Sequence, residues 1–409
     1  MTKAMGLEAA EIARAVDGLV DSSEPTRETL AEILARAAFS VITEPGDRFA
    51  GWLLNRYPAV DIIECLQQGY QFEELLDSQA RVALFEKFGD LATLFAAAKE
   101  RWQPRFAFKT VLAALDAARH LRAQLITPLS PNWPSGLGLL DEAAPHCLWF
   151  KGDSRLFALS ARSISIVGSR LATSYGEYVT TEVVSESVSN SLAVISGGAY
   201  GIDAIAHRAT LAVDGFTIAV LAGGIDRLYP AGNFELLQKI GEQNLLITEQ
   251  APGSSPTKWR FLQRNRIIAA LGSATVVVEA GIRSGALSTA NHANQIGRKV
   301  GAFPGRIDSP QSAGCHELIR GSGAVLLGSA AQAIDLATDS AEVLEPFAQG
   351  LGQLETRLLD ALTTKPQRLE RLAVKAGLTS HELTIALGQL QLQGLVQEQL
   401  NGWVKASKV

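Results

Sequence analysis

Apolar residues fall along the chain in three successive rhythms. To about residue 122 they recur at helical spacing. Glu28–Phe39, Arg81–Phe88, Leu91–Lys99 and Phe108–Leu121 each set apolar side chains three and four residues apart. β-Branched runs are nearly absent there, so the zone is expected to be all helix, frayed up to Pro25. From Ser163 the rhythm changes. Short apolar runs rich in Val and Ile occupy Ser163–Val167, Leu192–Ile195, Phe216–Leu221, Leu245–Thr248, Ala274–Val278, Lys299–Phe303 and Ala324–Leu327. Helical patterns separate most of them. Continuous apolar strands alternating with helices predict an α/β fold, a doubly wound parallel sheet buried on both faces. Consecutive strands are expected to neighbour each other through right-handed crossovers. Gln124–Gly152, rich in Pro, Trp and Gly, is expected to cap or extend that sheet.

The third rhythm begins at Leu351. LETRLLDALTT, RLERLAVKAG and LTSHELTIALGQLQLQG read as three helices, with Thr379 or Ser380 as N-cap of the last. LVQEQLNGWVKA then reads as a hairpin turning at Asn401-Gly402. Three helices and a hairpin wing make a winged helix. The expected domains are therefore a helical one over 1–122, the α/β one over 123–334, a weakly patterned linker over 335–350 and a winged helix over 351–409.

Composition narrows the function. With 47% hydrophobic and 19% charged residues the 409-residue chain is globular, not disordered. A net charge of −5 excludes coating nucleic acid by overall positive charge, so any polyanion site has to be a local patch. Cys65, Cys147 and Cys315 are far apart and form no CxxC, as expected for buried thiols in a reducing cytosol. The six histidines are scattered and imply no metal site. The N-terminus has no apolar signal core and no stretch reaches membrane-span length, so a cytoplasmic protein is expected.

The patch lies where strands end. Gly168-Ser169-Arg170 follows the first parallel strand, where α/β sheets place ligands. Ser196-Gly197-Gly198-Ala199-Tyr200-Gly201 opens the next helix, and its bare amides are expected to cradle an anion. Asp203 and His207, four apart on that helix, are expected to pair with each other. Ala222-Gly223-Gly224 with Tyr229-Pro230 shapes the same rim. Lys258-Trp259-Arg260-Phe261-Leu262-Gln263-Arg264-Asn265-Arg266 interleaves cations with aromatics, suited to neutralising phosphates and stacking bases. Arg283-Ser284-Gly285 makes a second helix start with Ser284 as cap, and Arg306 adds a cation at the rim. Ser255–Arg320 holds nine Lys or Arg against three acids, inside a net-negative chain. No GxxxxGK[ST] loop, GxSxG elbow or HExxH helix occurs, so neither cofactor nor catalytic set is expected.

The ordered set GSR, SGGxxGID-x-x-AH, TIAVL-x-GG-x-D-x-x-YP, F-x-x-RNRII-x-x-L, VVVEA-x-x-x-SG-x-L-x-T-A and PG resembles the DNA-processing protein A (DprA/Smf) family over about Gln124–Leu327. Leu351–Trp403 resembles the winged helix many members carry, and the helical zone their sterile-alpha-motif-like leading domain. The resemblance implies an extended Rossmann-like fold that forms homodimers and binds single-stranded DNA without catalysis. It further implies protection of incoming DNA and loading of the RecA recombinase during natural transformation. Carried over by motif, the binding residues would be Arg170, Ser196, Gly197, Gly198, Arg264, Asn265, Arg266, Ser284 and Gly285. Two positions depart from the pattern: Tyr200 stands where members carry a basic residue, and Gly314-Cys315-His316 where they read G-T-N.

Two rivals bracket this reading. A nucleotide phosphoribohydrolase would share the topology, but its PGGxGTxxE motif is absent and only Glu279 remains as a candidate acid. A duplex-reading regulator would use His381–Gln393 as recognition helix, yet that helix has no Lys or Arg for phosphates or guanines.

Overall fold

The computed structural model describes residues 5–20, 26–68, 75–321, 323–338, 353–363, 365–392, 395–399 and 402–406. Its first zone is helical: α1 (Ala9–Val16), α2 (Arg27–Ile42), α3 (Arg48–Leu54), α4 (Ala59–Gln68), α5 (Ser78–Phe88), α6 (Leu91–Trp102) and α7 (Phe108–His120). Side-chain oxygens of Thr26, Asp47, Asp77 and Asp90 accept the first free amides of α2, α3, α5 and α6. The expectation of a frayed start is corrected by α1. The Glu11 carboxylate accepts the Glu8 N–H, and Ile12, Val16 and Leu19 are fully buried.

The sheet zone runs β1 (Gln124–Ile126), β2 (Leu148–Gly152), β3 (Ser163–Val167), α8 (Ser174–Ser189), β4 (Ala193–Ser196), α9 (Ile202–Ala212), β5 (Thr217–Val220), α10 (Phe234–Gln243) and β6 (Leu245–Thr248). It continues with α11 (Lys258–Leu271), β7 (Ala274–Val277), α12 (Gly285–Gln295), β8 (Lys299–Ala302), α13 (Ala313–Arg320), β9 (Val325–Leu326) and α14 (Ala330–Thr338). Every residue of β3, β4, β5, β6 and β7 is buried, as a parallel sheet covered on both faces requires. β1 and β2 extend it antiparallel beside β6.

The strand order is β1-β2-β6-β5-β4-β3-β7-β8-β9. Consecutive strands are neighbours from β3 to β6, but not at the next step. After β6 the chain returns through α11 and lays β7 on the other side of β3. Apolar periodicity reports that strands exist, not which edge the next one joins. The reversal leaves a crevice beyond the ends of β3 and β7, the switch point at which open α/β sheets bind ligands.

Two compact units result, Met1–Ser340 and Ala341–Val409. Residues 335–338, read as linker, complete α14, where Ile334 and Ala337 are buried. The rest of that stretch, 339–350, lies outside the described residues. The second unit comprises α15 (Gln353–Ala361), α16 (Leu369–Ala376), α17 (Ser380–Leu392), β10 (Val396–Gln399) and β11 (Gly402–Lys405). Thr379 caps α17 in a reciprocal box with Glu382. β10 and β11 pair antiparallel from Val396↔Lys405 to Gln399↔Gly402 over a core of Leu358, Leu372, Leu387, Leu390 and Trp403. Residue 401 of the predicted Asn-Gly turn lies outside the described residues. No described helix is long and apolar enough to cross a membrane.

Candidate nucleic-acid interface

A cleft of about 890 Å³ opens at the switch point. The segment after β3 supplies Arg170, the rim after β5 supplies Tyr229, and the segment after β7 supplies Arg283, Ser284 and Gly285. The N-terminal half of α11 forms one wall with Lys258, Phe261, Arg264 and Asn265. Thr257 starts that helix by accepting the Arg260 N–H at 3.3 Å. Ser284 accepts the Ala286 N–H at 3.3 Å and so starts α12, while the Asn265 side chain donates to Gly285 O at 3.2 Å and ties the middle of α11 to the start of α12. Cations thus outnumber acids in the lining by four to one, Asp203 being the acid. None of Arg170, Lys258, Arg264 and Arg283 is in an ion pair among the described residues.

Phe261 sits at the centre of this wall. Its ring lies 5.5 Å from the Arg170 guanidinium carbon, 5.8 Å from that of Arg264 and 5.5 Å from the Tyr229 ring. Cations over a ring face are held electrostatically by its quadrupole, which fixes their direction before any ligand arrives. Arg264 is the deepest cation, 5% exposed. Its Nη1 donates to Gly197 O at 2.6 Å and also to Val220 O. Burial pushes its pKa down to about 10, Asp203 pulls it back up and Arg170 lowers it further; it stays charged at neutral pH. A Cβ at position 197 would lie 2.5–2.6 Å from that guanidinium, so glycine there is what lets Arg264 lie against the strand end.

The DNA recombination-mediator protein A family matches residues 124–338, and the DprA winged helix domain matches 342–402. A DNA processing protein DprA relative from Mycobacterium tuberculosis is 40% identical over 68% of this chain and 76% of its own length. The chain belongs to the DprA/Smf family. The Smf protein of Synechocystis is 30% identical over 70% of this chain and 80% of its own. The X-ray structure of DNA processing protein A from Streptococcus pneumoniae superposes with a TM-score of 0.56 at 29% identity, covering 75% of this chain and 97% of that one.

Five of the residues carried over from DprA/Smf motifs line the cleft: Arg170, Arg264, Asn265, Ser284 and Gly285. Four do not. Ser196 is fully buried and donates to Ile166 O at 2.6 Å, joining two strands. Gly197 and Gly198 lie beneath the lining, and the expected anion cradle there is already filled from within. The Asp203 carboxylate accepts the N–H of Gly197 at 3.1 Å and of Ala199 at 3.4 Å. Gly198 takes a left-handed φ of +67°, and its carbonyl accepts the Asn233 amide. Arg266 is 2% exposed, and Glu249 neutralises it through two bonds of 2.7 and 2.6 Å. Lys258 and Arg283 were within reach of sequence, since both stand in the charged motifs, but the motif match did not select them.

Other expected contacts also resolve into structure. Asp203 and His207 do not pair. Asp203 holds the loop amides, and His207 Nδ1 bonds the Thr217 hydroxyl at 2.6 Å. Burial foremost raises the Asp203 pKa, and it pushes His207 down to about 3. Arg306 pairs with Asp308 on the surface and does not reach the cleft. Glu279 is 1% exposed and accepts both the N–H and the hydroxyl of Thr173, at 3.0 and 2.6 Å, an anchor beneath α8. Cys315 is fully buried against the end of β7, which pushes its thiol up to about 12, and His316 bonds Gly305 O at 3.0 Å.

Proposed function

We propose that this DprA/Smf protein binds single-stranded DNA in the switch-point cleft, without catalysing a reaction. The observation that carries the reading is the cleft's lining: four cations outside any ion pair among the described residues, two of them, Arg170 and Arg264, over the Phe261 ring. Cations meet phosphates and the ring meets bases that have left a duplex stack. Glu279, the acid a glycosidic hydrolase would need, is buried and holds Thr173 instead. The family relationship supports a part in DNA processing during transformation and recombination, with protection of incoming strands and delivery to RecA as its finer content. The same relationship supports a cytoplasmic homodimer. The exposed edge strand β9, with Val325 and Leu326 half in solvent, is compatible with pairing of copies.

Titration with oligo-dT and a matched duplex at two salt concentrations tests this. Single strands should bind tighter. Arg170→Ala and Arg283→Ala should each weaken binding with little sequence dependence and reduce the salt slope by about 0.7 per phosphate no longer neutralised. Equal affinity for duplex, or unchanged affinity in both variants, refutes the assignment.

A further inference from the structure

Beside the charged wall lies a stretch of rim with two aromatic rings, where the neighbouring Arg208 and Arg227 are each held by a side chain of the fold. Tyr229 is 49% exposed at the cleft edge and Tyr200 is 47% exposed, resting on the turn that Tyr229 begins. The Tyr200 hydroxyl accepts the Gly232 N–H at 3.2 Å. Its ring lies so close that a Cβ at position 232 would come within 2.7 Å of the hydroxyl and 2.9 Å of the ring edge. Glycine at 232 therefore seats the ring against backbone. The turn itself is fixed. Asn233, 1% exposed, donates to Gly198 O at 3.0 Å and Ala199 O at 3.1 Å, and its own oxygen accepts from Arg208 at 3.2 Å. Residues 229–233 read Tyr-Pro-Ala-Gly-Asn, and the preceding Arg227 is paired with Asp226 at 3.0 Å.

We propose that Tyr229 and Tyr200 form a second stacking platform, over which bases of the bound strand run as it leaves the cleft past the Tyr229–Asn233 turn. The proposal rests on the single-strand reading and adds the direction of the strand and the kind of contact it meets. Rings held in place beforehand lose little freedom when a base stacks on them. Every base has a face to offer, so the platform binds without regard to sequence. It carries no charge, so the affinity it adds is insensitive to salt, in contrast to the Arg170–Arg283 wall.

The test compares the full-length protein with its Tyr200→Ala and Tyr200→Phe variants on oligo-dT and on an abasic sugar-phosphate strand of equal length. Tyr200→Ala should lose about fivefold or more in affinity for oligo-dT. Its salt slope and its affinity for the abasic strand should stay as in the parent, and Tyr200→Phe should bind like the parent. An equal loss on both strands would mean that Tyr200 merely props the loop, and no loss on oligo-dT would remove it from the path. Either result overturns the platform while leaving the cleft assignment standing. A parent protein that binds neither strand overturns both.

Discussion

The two faces of α11 carry like residues to unlike ends. One face presents Lys258, Phe261 and Arg264 to the cleft, where no acid among the described residues forms an ion pair with the cations. The other presents Arg260 and Arg266 to the helical zone and the sheet. There Glu44, in the turn after α2, takes Arg260 at 3.0 Å, and Glu249, just past β6, takes Arg266 at 2.6 Å. Arg266 also donates to Ala143 O at 2.8 Å. The same helix is thus the wall of a cleft on one side and a bolt through the fold on the other. What separates the two roles is not the cation but whether the fold delivers a carboxylate to it.

The sharpest way to break this comparison is Arg266→Ala. Removing one partner of a buried ion pair leaves the other charge stranded, which costs about 3–5 kcal/mol. Denaturant unfolding should show that loss, while the folded fraction keeps parental affinity for oligo-dT. Parental stability with weakened strand binding would put Arg266 in the cleft and erase the distinction between the faces.

That distinction explains what the sequence could and could not show. The strands were legible because a sheet buried on both faces needs unbroken apolar runs, and Ser163–Val167 and Leu245–Thr248 match β3 and β6 to the residue. Their order was not, since nothing in an apolar run records that β7 returns to β3. Arg264 and Arg266 look alike in the motif, but two positions on a helix are about 200° apart, so only one can share a face with Phe261. Periodicity could have separated them; the partner acids could not have been guessed, because Glu44 lies 216 residues from Arg260. The Gly197-Gly198 loop misled for a related reason. Its amides do bind an anion, but the anion is Asp203, supplied by the same loop's own helix. α3 is only seven residues long, too short to show a helical rhythm.

Glu44 offers a gentler probe of the bolting face. Burial raises its pKa, but the Arg260 and Arg105 guanidiniums outweigh burial and hold the carboxyl below its usual range. A carboxylate whose folded pKa is depressed adds stability above its unfolded value of 4.5 and loses it as pH falls through the folded one. Glu44→Gln should therefore cost less than about 1 kcal/mol at neutral pH, since the pair is partly exposed. The gap between variant and parent, read from thermal unfolding, should close below pH 4.5. A gap that persists unchanged into acid would mean that the charge on Glu44 does not hold the zones together.

The smallest effect expected is none, and it tests whether the cleft face of α11 accounts for strand binding by itself. The second unit has its own core around Leu372, Leu387 and Trp403, and its helix α17 offers His381 and Glu382 but no Lys or Arg. Phosphate neutralisation is the main source of affinity for a strand held without sequence preference, and a helix without cations cannot supply it. Its exposed polar residues suit contact with a protein better than with a polyanion. A chain ending at Ser340, the limit of the first compact unit, should keep both the affinity for oligo-dT and the salt slope of the full chain. A flatter slope after truncation would mean that the second unit neutralises phosphates of its own, and the cleft would then be only part of the site.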